Sequence, residues 1–457
     1  MNYSSQAVRI GKTDRHGWQK ILIVAGLLCL LYNPPIFSFN SMHLVGLLSI
    51  AFLLIHVSRT VNMLRSVKIG GLLLGTALWF GYLLLSVVFL HAEDLLFAIL
   101  PVYFLVDIIP FGMSVRIVCE NNGWTVDDFI GMVVSASIIQ ALLSLAAFLS
   151  PEIQSVFVQR FLDYGYGEVV TELARTRFYG FAAGMTFDMP ILQTMIALLV
   201  IHPTRKLKLS NYIIAVLLFS SAIINARNAI VVAVIGFFAM VFLDCLPLRK
   251  KLKYGIAFAV AAVAAAVVLL PVVAALAPST YRWIGQGFRE ILAFLFKGDA
   301  GKEGSNYFAY IMNPDKYRAP GGLVEVLFGV GHPTMGMTAQ YGYASDIGYT
   351  NDLWLGGLVY MIPLYLFFAA IMWSMRRHSH PQVVFTGIFM LVMYPFVNIK
   401  GIAASANGFT YFLILLYVVT VGRSCGGSRE YGQYEPVDEM RLNKHETANH
   451  ICDRSSV

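Results

Sequence analysis

The sequence predicts an all-α polytopic membrane protein with about 12 transmembrane helices and two large external loops. Three observations carry that prediction. Hydrophobic residues are 58% of the chain and charged residues only 13%, where a soluble domain is about a quarter charged. Mean hydropathy is +0.68, and apolar runs of about 17 to 25 residues, long enough for a helix to cross a bilayer, recur along the chain. The remaining charge is gathered between those runs, above all in one polar stretch, 277–351, from APSTYRWIGQGFRE to YASDIGYTNDLWLGGL. It holds Arg282, Arg289, Lys297, Lys302, Lys316, Arg318, Glu290, Glu325, His332 and Asp346, so the chemistry is expected there.

Taken in order, Met1 to Trp18 is polar and basic, with Arg9, Lys12 and Arg15 ahead of an apolar run that ends near Leu31. That run has no small-residue cleavage site, so a retained first span is expected rather than a removed signal. Apolar runs follow near 42–57, 69–90, 95–113 and 127–149, and then a polar loop, 150–181. Later runs lie near 182–202, 210–225, 228–244, 254–276, 354–374, 382–398 and 405–422. Residues 1–422 thus form one integral membrane domain. The tail 423–457 is polar, mixed in charge and poor in core-forming residues, so it is expected to be disordered and cytoplasmic.

Lys and Arg crowd cytoplasmic loops, which fixes an orientation. Alternate loops carry Arg59, Arg65 and Lys68; Arg116; Arg205, Lys206 and Lys208; Arg249, Lys250, Lys251 and Lys253; and Arg376 and Arg377. Both termini are therefore predicted cytoplasmic, and loops 150–181 and 277–351 fall on the other face. The net charge of +7 sits largely in these short loops, which suits membrane orientation and not nucleic-acid binding. The five cysteines have neither disulfide-framework nor metal-site spacing. No nucleotide, zinc-protease or serine-nucleophile motif occurs, so no metal and no cofactor is expected. An outward-facing enzyme without ATP needs a substrate that arrives already activated, presented by the membrane.

Arginine placement fits such a substrate. Arg175 and Arg177, in ARTRFYGFAAG, precede the sixth run; Arg227, in INARNAI, sits at a tight turn; Arg282 and Arg289 follow the ninth run. Guanidinium groups stay charged and grip phosphate oxygens in pairs, so a lipid pyrophosphate is the expected ligand. The alternative is snorkelling to headgroups or pairing with Glu168, Glu172 and Glu290. Asp107 and Asp188 lie inside apolar runs, where an ionisable group is costly and faces a partner or a cavity. Asp107 is expected to pair with a neighbouring helix, and Asp188 to orient an arginine or touch substrate. Tyr179 and Tyr341 belong to the aromatics of the external segments, where they either anchor at the interface or pack against sugar rings.

The stretches RTRFYGFAAGMTFDMP, INARNAIVVAVIG, GVGHPTMG and SDIGYTNDLWLGGLVYMIPLY resemble those of the Wzy-type O-antigen and capsular polysaccharide polymerases, within the O-antigen ligase/polymerase superfamily. The resemblance implies a GT-C-like membrane glycosyltransferase in the bacterial inner membrane. Its substrate would be an undecaprenyl-pyrophosphate-linked oligosaccharide, its partners a chain-length regulator and a flippase. The growing glycan would pass to a new lipid-linked repeat and undecaprenyl pyrophosphate would leave. Arg177 and Arg227 match the family's arginines, which implies that they hold the pyrophosphate. His332 falls near a histidine of the related ligases, although Pro333 departs from their pattern, and Asp346 falls on the SD-like motif. One of the two would be the general base or position the acceptor hydroxyl. The alternatives are loop packing for His332 and helix capping for Asp346. A ligase or a lipid-linked oligosaccharide flippase remains as the alternative function.

Overall fold

The computed structural model describes residues 17–36, 40–90, 96–164, 169–183, 187–202, 208–226, 228–243, 247–297, 313–334, 345–399, 401–405 and 407–421. No strand occurs among them. The expectations for Arg227, Tyr341 and the 423–457 tail lie outside the described residues.

The helices run α1 (Gly17–Tyr32), α2 (Ser41–Ile55), α3 (Val57–Leu64), α4 (Val67–Phe89) and α5 (Leu96–Val102). A π-helical stretch, Tyr103–Ile108, joins α5 to α6 (Ile109–Asn122). Then come α7 (Val126–Leu149), α8 (Pro151–Asp163), α9 (Val169–Ala174), α10 (Asp188–Val200), α11 (Leu209–Asn225), α12 (Asn228–Leu243), α13 (Leu248–Leu276) and α14 (Pro278–Lys297). A 3₁₀ turn at Pro314–Tyr317 and α15 (Leu323–Phe328) precede α16 (Gly348–Arg376), α17 (Pro381–Val397) and α18 (Gly408–Thr420).

Among the described residues, five helices are long and apolar enough to cross a membrane: Val67–Phe89, Ile99–Asn122, Val126–Leu149, Leu248–Leu276 and Gly348–Arg376. The pair α2 and α3 passes the same test together but bends by 102°. The six other apolar helices are shorter, at 10–17 residues. The difference follows from position. Every residue of α10 and α18 is buried, as expected for a helix that is apolar all round. On α4, Leu74, Leu78 and Leu85 face outward, and on α13 Val260, Val263 and Val267 do the same. Apolar faces this broad would be a liability in water, and their natural surroundings are lipid hydrocarbon. The protein is a helical membrane protein.

Polar contacts sort the helix ends into two sets. At one end, Asn122 of α6 donates to Gln19 of α1 over 2.7 Å, Lys20 pairs with Asp128 of α7 over 3.9 Å, and His380 before α17 pairs with Asp127 over 3.5 Å. Asn211 of α11 and Gln382 of α17 both donate to carbonyls at the C-terminal end of α10, each over 3.0 Å. Arg59 and Arg116 are bound at this end too, to Asn121 and to the Val421 carbonyl. At the other end, Ala183 donates to the carbonyl of Tyr32, which closes α1, over 2.8 Å, and Tyr349 of α16 donates to that of Asn398, which ends α17, over 3.2 Å. We call these the basic end and the loop end.

Two segments read as loops contain helices. Segment 150–181 holds α8 and α9, and 277–351 opens with α14, which keeps Thr280 and Ile284 inward and Tyr281 and Arg282 outward. In α16 the helix breaks at Gly357, whose φ of 67° lies in the left-handed region that favours glycine. Residues Leu327 and Phe328 fill the space a Cβ there would need. The freed carbonyls find donors: Val330 N–H reaches Trp354 over 2.7 Å, and the Tyr82 hydroxyl of α4 reaches Gly356 over 2.6 Å. A backbone group left unpaired in hydrocarbon costs several kcal/mol, so the break exists only because these donors meet it.

Candidate functional site

Two polar regions lie at the loop end. The first is the loop 175–183, held almost entirely through its backbone. Asn225, the last residue of α11, accepts from Phe178 N–H over 2.9 Å and returns a bond from its amide to the Phe178 carbonyl over 3.0 Å. The same amide donates to Ser144 Oγ of α7 over 2.9 Å, and Ser144 donates to the Phe178 carbonyl. One turn earlier on α7, Gln140 donates to the Tyr179 carbonyl over 2.7 Å. From α8, Gln154 donates to the carbonyls of Ala174 and Arg177 over 2.6 and 3.1 Å. With the backbone tied down, the Arg175 side chain is left to face outward, while that of Arg177 is half-buried.

Arg175 is exposed, and the Arg177 guanidinium lies over the Trp283 indole of α14, 5.6 Å from the ring centroid. The start of α14 is fastened to the same loop: Ser279 Oγ donates to the Arg175 carbonyl over 3.4 Å, and Thr280 Oγ1 to the Thr176 carbonyl over 3.2 Å. Beneath them, Ile284 packs with Phe148, Phe178, Leu269 and Val273. Arg282 and Arg289 project from α14 as exposed residues. Thus Arg175, Arg177 and the α14 arginines, which the sequence scatters over two segments, belong to one loop-and-helix unit. Arg227 lies outside the described residues, but Asn225, two positions before it, is the residue that grips Phe178.

Two of the expected substrate contacts have buried side chains. Tyr179 is only 2% exposed; its hydroxyl donates to the Val170 carbonyl over 3.1 Å and its ring meets Phe161 edge-on. Burial pushes its hydroxyl pKa above the ordinary tyrosine value, and the side chain is a pillar under the loop. Asp188, at the start of α10, accepts from Phe409 N–H over 3.3 Å. Its carboxylate therefore sits at the N-terminus of α18, where free N–H groups and the helix dipole favour negative charge. Neither side chain faces outward to a ligand.

The second region is a knot formed by residues 313–334 with the start of α16. Ser345 Oγ and Thr350 Oγ1 donate to the Lys316 carbonyl over 2.8 and 3.1 Å, and Trp354 Nε1 to that of Arg318 over 2.8 Å. Asn351 donates to the Ser345 carbonyl over 2.9 Å, and Thr334 Oγ1 reaches the same carbonyl over 3.3 Å. His332 is buried within this knot, and Asp346, next to Ser345, is half-buried. Ile347 occupies the N-cap position of α16, so Asp346 lies one residue outside the capping place. Below it, Tyr365 donates to the buried Asp352 over 2.5 Å, Asn398 donates to Tyr365 over 2.7 Å, and Asn398 accepts from Ala403 N–H over 2.6 Å. The loop after α17 reaches the first region through Gly401, which lies against the ring of Phe187, the residue before Asp188.

Sequence reasoning missed Asn225, Ser144, Gln140 and Gln154. A signal for two of them existed: Gln140 and Ser144 stand four apart in an apolar helix, on one face. Chemically, the first region offers guanidinium groups suited to phosphate oxygens, and the second offers an imidazole and a carboxylate able to hold or move a proton.

No protein-family model matches this chain, and no curated protein or solved structure is significantly similar to it.

Proposed function

We propose that the chain is a membrane glycosyltransferase that polymerises undecaprenyl-pyrophosphate-linked oligosaccharide repeats into O-antigen or capsular polysaccharide. The observation that carries this reading is the arginine unit: Arg175 and Arg177 on a loop whose backbone is pinned by Asn225, Ser144 and Gln154, fastened to the helix that carries Arg282 and Arg289. A leaving pyrophosphate requires positive charge fixed in advance, because groups already oriented need no reorganisation as charge develops. Arg227, two positions after Asn225 in the sequence, is the further arginine assigned to the pyrophosphate in this reading. In this reading the apolar helices make twelve crossings of the bacterial inner membrane. The basic end, with Lys20, Arg59 and Arg116, faces the cytoplasm with both termini, and the loop end faces outward.

The donor glycan on its lipid pyrophosphate docks on the arginines. The acceptor repeat, also lipid-linked, lies against the His332 and Asp346 region, and one of these two positions its hydroxyl or acts as base. A chain-length regulator and a flippase are the expected partners.

The test is the glycan profile of a deletion strain on a gel that resolves single repeats. Loss of the ladder with retention of single-repeat material, restored by the wild-type gene, supports the reading. Free polymer accumulating on the lipid would make the chain a ligase, and single repeats held inside the cytoplasm would make it a flippase.

A further inference from the structure

A third polar group lies near the loop end, at the start of α2. Asp107, in the π-helical stretch between α5 and α6, is fully buried, and its Oδ2 is 2.9 Å from Nδ1 of His43. Its Oδ1 has no hydrogen-bond partner. Gly46, one turn beyond His43, lies so close to this carboxylate that a Cβ would collide with it. The imidazole stacks on Tyr103, 5.3 Å between centroids and 6° from parallel.

Three features separate this pair from an ordinary interhelical link. A π turn interrupts an α-helix at a cost in hydrogen-bond geometry and recurs at functional sites; here it sets the position of Asp107. The burial is lopsided, with the His43 side chain 42% exposed and that of Asp107 at 0%. A carboxylate that accepts from Nδ1–H fixes the tautomer and leaves the Nε2 lone pair available, and the exposed partner is the one that carries it.

The pair is also tied to the arginine loop. Ser41, two residues before His43, donates to the Pro34 carbonyl over 3.1 Å, and Arg160 of α8 donates to the Ile36 carbonyl of the same turn over 2.8 Å. Gln154, on the same short helix, holds the Arg177 carbonyl. Six residues of helix, about 9 Å, separate these two anchor points.

Resting on the polymerase reading, we infer that His43, oriented by Asp107, is the general base of the transfer, and that Asp346 and His332 position the acceptor. The acceptor hydroxyl oxygen bonds to the anomeric carbon of the donor as the bond from that carbon to the pyrophosphate oxygen breaks. The bonding pair leaves with the pyrophosphate. The hydroxyl proton passes to Nε2 of neutral His43, and the Asp107 carboxylate stabilises the imidazolium until the proton is lost to water. Among the described residues, the other titratable groups around the pair are Tyr103, Tyr164 at the end of α8 beside Tyr103, Tyr411 of α18 beside Asp107, and Cys29 of α1, hydrogen-bonded to Ser41.

The test uses the full-length protein in proteoliposomes, supplied with the single-repeat lipid that accumulates in a strain lacking the chain. Polymerisation rates are followed across pH for wild type, His43→Ala, His43→Asn and Asp107→Asn. The expected result is a fall in kcat of about 100-fold for both His43 variants with KM unchanged, together with loss of the acid limb of the wild-type profile. Asp107→Asn should give a smaller fall. If His43→Ala fails to accumulate, His43→Asn, which can still donate to Asp107, carries the same readout. A wild type that polymerises beside His43 variants of equal rate and unchanged profile overturns the assignment alone. A wild type that forms no polymer from this lipid overturns the polymerase reading, and the assignment with it.

Discussion

The arginine loop and the His332 knot use similar bonds to opposite effect. In the loop 175–183, donors from α7, α8 and α11 take the backbone carbonyls of Ala174, Arg177, Phe178 and Tyr179, so that Arg175 can stay exposed. In the knot, Ser345, Thr350 and Trp354 take the carbonyls of Lys316 and Arg318, and the result is a buried His332 and a half-buried Asp346. One region is a rim that can meet a large anionic headgroup; the other is an enclosure that can select a small group. The difference teaches that a membrane protein can fix a charged surface and a sheltered one with the same resource, side-chain donors aimed at loop carbonyls.

The comparison can be broken first at the rim. If the chain is the proposed polymerase, Arg177→Ala should lower polymerisation by about 1000-fold, the scale seen when an oriented donor to developing charge is removed. Arg177→Lys should restore little, because an ammonium cannot grip two phosphate oxygens and stacks poorly on Trp283. Full activity of Arg177→Ala in a proteoliposome assay would remove the rim from the mechanism.

Asp346→Ala tests the enclosure. Its expected effect is smaller, about 100-fold, and should leave binding of the lipid pyrophosphate intact. A direct binding assay in which Asp346→Ala loses the lipid as completely as Arg177→Ala would mean that the two regions do one job.

Asn225→Ala probes the support under the rim. It strips partners from both backbone groups of Phe178 and from Ser144, and an unpaired buried polar group costs about 1–3 kcal/mol. The thermal midpoint of the purified protein should fall, and activity should drop with it even though no charge is lost. An unchanged midpoint would mean that the loop is held some other way.

The smallest effect belongs to Trp283→Ala. A cation–π contact at a partly exposed place is worth about 1 kcal/mol, so KM for the lipid substrate should rise about fivefold with little change in kcat. A large fall in kcat would show that Trp283 does more than orient Arg177.

Much of the fold was legible because a helix in hydrocarbon needs a long apolar run, and nothing else in the sequence mimics one. The run read at 228–244 is α12 (Asn228–Leu243) and that at 127–149 is α7 (Val126–Leu149). Boundaries slipped where polar residues continue a helix past its apolar part: α13 begins at Leu248, so Lys250, Lys251 and Lys253 lie on its first turns and not in a loop. The amphipathic α8 and α14 were read as loops, since their charge hid a helical period. The π stretch at Tyr103–Ile108 and the break at Gly357 were not legible at all, because both depend on partners remote in sequence. At the candidate site, the guanidinium groups stood out because they sit in polar segments between apolar runs. The burial of Tyr179 and Asp188 was not legible, because a polar atom aimed inward at a backbone group reads the same in sequence as one aimed outward at a ligand. His43 went unnoticed for a related reason: only the fold brings Asp107, 64 positions later, to its side.

The interruption of α16 bears on how the chain is built. Its freed carbonyls are met by Tyr82 and by Val330, and both precede Gly357 in the sequence. Synthesis from the N-terminus therefore completes the two donors before the segment that needs them leaves the ribosome. The same helix moved to an earlier place in the gene would enter the bilayer with those carbonyls still unmet, so the order of segments is itself a condition for assembly.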